Sequence, residues 1–186
     1  MSDVALLVID VQESFRHRPF WSDADVPRFA EHQQALIDGA AARGIPLLQV
    51  FHVAETGPFS LASGHVRTLD PIVIAPTATF HKRRHSALVD TGLAGWLTQH
   101  GIRRLIVSGI RTEQCCETTT RHASDSGWQV DYVMEATLTF AMTHPDGRRF
   151  EADDIKARTE LVLTDRFARI ATVEQALAGP ALSAAG

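Results

Sequence analysis

The chain has 186 residues, 45% of them hydrophobic and 22% charged, with a formal net charge of −4 at pH 7. That length suits one domain around a single sizeable core. With no basic face or tail, the composition argues against a nucleic-acid partner, and no run approaches the roughly 18 apolar residues of a membrane span. The opening Met1-Ser2-Asp3-Val4 lacks the basic and apolar regions of a secretory signal. The 2 cysteines are neighbours and cannot staple a long loop, so a reducing, cytoplasmic setting is expected.

Val4-Ala5-Leu6-Leu7-Val8-Ile9 is a continuous apolar run, the pattern of a strand buried on both faces, and Asp10 stands at its carboxyl end. Pro27 opens and Gly44 closes a helix over 28–43. A second strand over 45–51 tolerates Pro46 near its start. The stretch 52–78 is a long Gly- and Pro-punctuated connection, a length usually reserved for function. A short extended piece over 77–80 follows, then Ser86 as the cap of a short helix and a further helix over 93–100 stopped by Gly101.

The strand expected over 102–108 leads through Gly109 into a helix over 115–126, ended by Gly127. Another strand is read over 129–134, a helix over 153–167, a final strand over 168–171, and a last helical turn capped by Thr172. Strands alternating with helices imply an α/β fold: a Rossmann-like three-layer α/β/α sandwich with a mainly parallel sheet. One domain over 1–178 and a loose tail over 179–186 are expected. In such sheets ligands bind beyond the carboxyl ends of the strands, where Asp10 and the 109–115 turn both fall.

Cys115 is therefore placed on the first turn of a helix, where unpaired N–H groups favour a thiolate and a nearby oxyanion. Free cysteine is equally at home as a buried structural thiol; the helix start and the Gly109 turn favour the reactive reading. Cys116 points about 100° away and reads as core. Asp10 is the candidate general base and Lys82 the candidate cation, giving a nucleophile, a base and a charge that settles both.

These residues sit in three segments that together resemble the isochorismatase-like cysteine hydrolase superfamily, which includes nicotinamidases and N-carbamoylsarcosine amidohydrolases. Leu6-Leu7-Val8-Ile9-Asp10-Val11-Gln12 is similar to its opening strand with a catalytic Asp in a D-x-Q context. Lys82-Arg83-Arg84-His85-Ser86-Ala87-Leu88 resembles its K-x-x-x-S-A-F segment. Residues 109–123 resemble the nucleophile motif G-[VI]-x-T-x-x-C-[VC]-x-x-T-x-R-x-A. The late 159–170 segment also fits, so the likeness spans nearly the whole chain.

The resemblance implies a catalytic triad of Cys115, Asp10 and Lys82 and a cis peptide between Ile110 and Arg111. It also implies an oxyanion hole from the backbone N–H groups of Arg111 and Cys115. The implied reaction is hydrolysis of a small-molecule C–N bond (amide, ureido or carbamoyl) through a thioester, without a cofactor. It further implies assembly as homodimers or homotetramers. The relative named for isochorismate cleaves a vinyl ether without a cysteine nucleophile, so Cys115 points to C–N chemistry instead.

Two alternatives stay open at the level of sequence. A metal-assisted nicotinamidase of this family carries Asp-x-His after the second strand. Here that stretch is Phe51-His52-Val53-Ala54-Glu55 with no such acid, and a set of His52, Glu55 and His65 matches no ligand spacing, so no metal is expected. The other alternative is a non-catalytic binding or oligomerisation module. Phe15, Trp21, His52, His85 and Phe140 are candidate lining of a small-molecule pocket, as are Arg111 and His144. Arg84 and Arg111 are candidate partners for a substrate carboxylate. Residues 142–147 form a turn expected near the mouth, as a lid or a subunit contact.

Overall fold

The computed structural model of the chain describes residues 2–179. Along it run β1 (Val4–Ile9), α1 (Val26–Ala42), β2 (Leu47–His52), β3 (Ala78–Lys82), α2 (Leu93–Gln99), β4 (Arg104–Ile110) and α3 (Glu117–Asp125). Then come β5 (Gln129–Leu138), β6 (Met142–Thr143), β7 (Arg149–Phe150), α4 (Ala152–Leu163), β8 (Arg169–Ala171) and α5 (Val173–Ala178). Six strands pair in the order β3-β2-β1-β4-β5-β8, every pair parallel. Of the tail read over 179–186, residues 180–186 lie outside the described residues.

Side chains of successive strand residues point to opposite faces, and β1 divides its apolar run accordingly. Val4, Leu6 and Val8 join Phe29, Leu36, Ile37 and Ala40 of α1 in one core. Ala5, Leu7 and Ile9 join Leu93 and Leu97 of α2 and Ala123 of α3 in the other. The buried positions of α1 recur at helical spacing, and Pro27 stands in its first turn where the missing N–H costs nothing. The fold class read from the sequence is the fold observed.

Several boundaries move, each for a local reason. No helix forms over 86–91, because α3 takes up this segment's polar groups: Ala87 N–H donates to Thr119 Oγ1 (2.9 Å), and Ser86 Oγ lies 2.8 Å from His122 Nδ1. β5 runs on to Leu138, past an irregularity in its pairing with β4 between Val107 and Gly109. α4 stops at Leu163 rather than continuing to residue 167. The N–H groups of Arg166, Phe167 and Ala168 fold back onto the Leu163 carbonyl, and Asp165 takes φ +57°.

Candidate functional site

The strand order brings four carboxyl ends side by side. Lys82 ends β3, His52 ends β2, Asp10 follows β1, and Arg111 follows β4. Register sets one of these neighbours directly: His52 and Lys82 are pairing partners between β2 and β3. β1 neighbours β2 on one side and β4 on the other, the switch point at which open α/β sheets bind ligands.

After Ile110 the chain makes a cis peptide to Arg111 and enters a wide helical turn over Thr112–Cys116, in which Cys116 N–H donates to the Arg111 carbonyl at 3.3 Å. Regular α3 begins only at Glu117, so Cys115 sits in this wide turn and not on the first turn of an α-helix. The turn is fastened at its start. Tyr132 Oη donates to the Thr112 carbonyl (2.7 Å), and the Thr112 and Thr137 hydroxyls lie 2.8 Å apart. Cys116 is fully buried in the second core.

Lys82 Nζ lies 2.7 Å from Asp10 Oδ2, 3.2 Å from Cys115 Sγ, 3.0 Å from His52 Nδ1 and 3.1 Å from the Arg84 carbonyl. The Asp10 and Lys82 side chains are both wholly buried, and Cys115 is 6% exposed. Burial pushes the Asp10 carboxyl above its ordinary range, against the pull of Lys82. For Lys82, burial works the other way, and Asp10 and Cys115 outweigh it to hold the ammonium above the usual lysine value.

Burial and the Asp10 charge push the Cys115 thiol up, and Lys82 only partly offsets them. A helix start taken alone would lower the thiol; burial and the carboxylate beside the sulfur reverse that expectation. The ground state is thus a neutral thiol beside an Asp10–Lys82 ion pair. The buried pocket holds one positive charge, and a second negative charge there would go uncompensated.

A cavity of about 450 Å³ opens onto this cluster, a size suited to a small molecule. Asp10 and Cys115 lie at its polar end; Phe15, Phe20, Phe59 and Pro58 give it an apolar side; Arg18, His85 and Gln114 complete the lining. Phe15 and Phe59 meet edge to face at 5.0 Å. Of the pocket residues read from the sequence, Phe15, His52, His85 and Arg111 line the cavity. Trp21 and Phe140 do not. They pack on each other at 5.1 Å, and Phe140 lies 5.9 Å from the Arg111 guanidinium. That guanidinium sits over Phe20 (4.7 Å) with Glu113 as counter-charge at 2.9 Å.

His144 lies in the β6–β7 hairpin beside a separate hollow against α4. Arg84 contributes its carbonyl, with its side chain exposed. Gln12, Arg18, Phe20 and Phe59 were not singled out from the sequence. Gln12 carried a signal, the D-x-Q context: its amide accepts from His52 N–H (2.8 Å) and donates to the His52 carbonyl (3.1 Å).

His52, Glu55 and His65 do not gather. His65 instead stacks on His17 at 3.8 Å. Among the described residues the one group with metal-ligand proximity is Asp10, His52 and Cys115. Lys82 Nζ contacts an atom of each at 2.7–3.2 Å, so an ammonium stands where a shared cation would have to sit. These residues do not fit a metal.

The sequence model of the isochorismatase domain matches residues 4–175. An isochorismatase-family structure from Burkholderia xenovorans LB400 is 31% identical, with a TM-score of 0.85 over 95% of this chain and 86% of that one. Another, from Chromobacterium violaceum ATCC 12472, is 27% identical, with a TM-score of 0.86 over 95% and 93%. Among curated proteins, the isochorismatase family protein YrdC of Bacillus subtilis is 24% identical over 92% of each chain.

Proposed function

The chain belongs to the isochorismatase family, and from that premise we propose that it hydrolyses a small-molecule C–N bond (amide, ureido or carbamoyl) with Cys115 as nucleophile. The observation that carries this reading is the bridge made by Lys82 Nζ between Asp10 Oδ2 at 2.7 Å and Cys115 Sγ at 3.2 Å, at the floor of a cavity.

The charges set the order of events. Cys115 can become a thiolate only if its proton stays within the buried cluster, and Asp10 is the acceptor at hand. Lys82 remains protonated and attracts the negative charge wherever it resides. With an amide in the cavity, the Sγ–H proton passes to Asp10 as sulfur bonds to the carbonyl carbon. The carbonyl oxygen takes the negative charge, facing the backbone N–H groups of Arg111 and Cys115. Asp10 returns the proton to the nitrogen, the C–N bond breaks, and an amine or ammonia leaves behind a thioester. Asp10, again a carboxylate, then deprotonates water. The hydroxyl adds to the thioester, the acid departs, and sulfur recovers its proton.

The test is an ammonia-release screen over small amides and carbamoyl compounds, followed by hydroxylamine trapping. Turnover that yields a hydroxamate and stops with Cys115→Ala supports the thioester. Turnover that survives Cys115→Ala removes it.

A further inference from the structure

Lys82 has four neighbours within hydrogen-bond distance, and an ammonium has three N–H bonds and no lone pair. The N–H bonds are shared among the four, and no neighbour can donate to the ammonium. At His52 Nδ1, 3.0 Å away, a ring proton would face a cation that cannot accept it, so the contact is favourable only with the proton on the other nitrogen.

The ring is also held in place. Gln12 clamps the His52 backbone at both N–H and C=O. The Phe59 ring meets the imidazole edge to face at 5.7 Å and 88°. Register places its Cα opposite that of Lys82. Nε2 has no hydrogen-bond partner among the described residues, and His52 lines the cavity beside Asp10 and Cys115. A ring nitrogen of His52 falls within 4.8 Å of both the Asp10 carboxylate and the Cys115 sulfur. Burial and the charges of Lys82 and His85 lower its pKa to about 4, so the imidazole is neutral through the physiological range.

We propose that His52 is fixed as the Nε2–H tautomer and donates that N–H to a second acceptor on the substrate. The site would then select C–N compounds whose scissile carbonyl stands beside another carbonyl or carboxylate oxygen. This rests on the hydrolase reading for its substrate class, but the tautomer and the donor rest on the geometry alone. A neutral, fixed donor cannot change to an acceptor, so a compound lacking the second oxygen leaves Nε2–H unpaired in the filled cavity. Discrimination of this kind is carried by binding more than by turnover.

Two measurements on the full chain test it. Nitrogen-15 imidazole spectra should show His52 with the proton on Nε2 and no titration between pH 5 and 8; a proton on Nδ1, or a titration in that range, overturns the proposal. Binding is compared for benzoylformamide and phenylacetamide, which differ in one α-carbonyl. It is measured on the Cys115→Ala background, so that the ketone cannot be captured by the thiol. The ketoamide should bind roughly tenfold tighter. His52→Phe, which keeps the packing on Phe59, should abolish that ratio, and His52→Gln, which keeps a donor, should restore part of it. Equal binding of the two compounds, or a ratio unchanged in His52→Phe, overturns the proposal. Absence of Cys115-dependent hydrolysis would remove the amidase reading while these two measurements still decide the role of His52.

Discussion

Asp10 and Lys82 form an ion pair with 2.7 Å between Oδ2 and Nζ, and neither side chain reaches solvent. Removing one partner strands the other. Lys82→Met should cost about 3 kcal/mol of stability at pH 7. Without Lys82, Asp10 loses the pull that opposes burial, so its folded pKa rises further. A carboxyl with a raised folded pKa binds its proton more tightly in the native state. The deficit should therefore shrink as pH falls toward the ordinary carboxylate range near 3.8. Urea unfolding at pH 7 and pH 5 checks both statements; a variant as stable as wild type at pH 7 would contradict them.

The lowered His52 pKa gives a slope of opposite sign. Between its folded value of about 4 and its ordinary value of 6.5, the unfolded chain binds the proton and the native one does not. Stability is then fully present above 6.5 and is lost as pH falls toward 4. A shift of that size corresponds to at most about 3 kcal/mol, and the ring's partial exposure brings the expected loss nearer about 1 kcal/mol. Comparing wild type with His52→Gln at pH 7 and pH 4.5 isolates it, and the same slope in both proteins would rule His52 out as its source.

Gly109 takes φ +132°, and a Cβ built there would fall 1.9 Å from the Ile9 carbonyl oxygen. That atom is backbone of β1, immediately before Asp10, so it cannot move aside without carrying the site with it. Gly109→Ala should destabilise the protein by roughly 3 kcal/mol or more. It should also disturb the spacing of Asp10 and Cys115. Thermal unfolding together with the rate of Cys115 alkylation reads both effects, and wild-type values for both would contradict the close approach of β1 and β4.

Glu117, at the start of α3, is buried and accepts from Arg121 Nε (3.0 Å), Arg158 Nη1 (2.5 Å) and Thr159 Oγ1 (3.1 Å). It ties α3 to α4 and does not line the cavity. Glu117→Ala should cost about 3 kcal/mol by leaving Thr159 and the two arginines without their common acceptor. Unfolding by urea should show the loss, with little change in KM for any substrate found by the ammonia screen.

How much of this was legible depends on the range of the forces involved. The apolar runs of β1 and β4 declare themselves, because strands buried on both faces need uninterrupted hydrophobic residues. The 28–43 helix does so through Pro27, Gly44 and its periodic core face. Asp10, Lys82 and Cys115 were readable as chemistry-bearing residues near the carboxyl ends of elements. What stayed hidden depended on contacts across the sheet. The sulfur's raised pKa comes from burial and from a carboxylate 105 positions earlier in the chain. The wide turn over Thr112–Cys116 is pinned by Tyr132 and Thr137 from the neighbouring strand. Phe20 and Phe59 line the cavity while Trp21 and Phe140 stand behind it, a distinction that composition and spacing do not encode.

Cys115 and Cys116 offer a control that differs by one position. Both are buried, but Sγ of Cys115 contacts Lys82 Nζ, and Cys116 sits wholly within the core. The most direct measurement is ammonia release from an amide found by screening, compared among wild type, Cys115→Ala and Cys116→Ala. Cys115→Ala should lose at least about 10⁴-fold in kcat, and Cys116→Ala should keep near wild-type turnover. Substantial turnover by Cys115→Ala, or its loss only in Cys116→Ala, would contradict it.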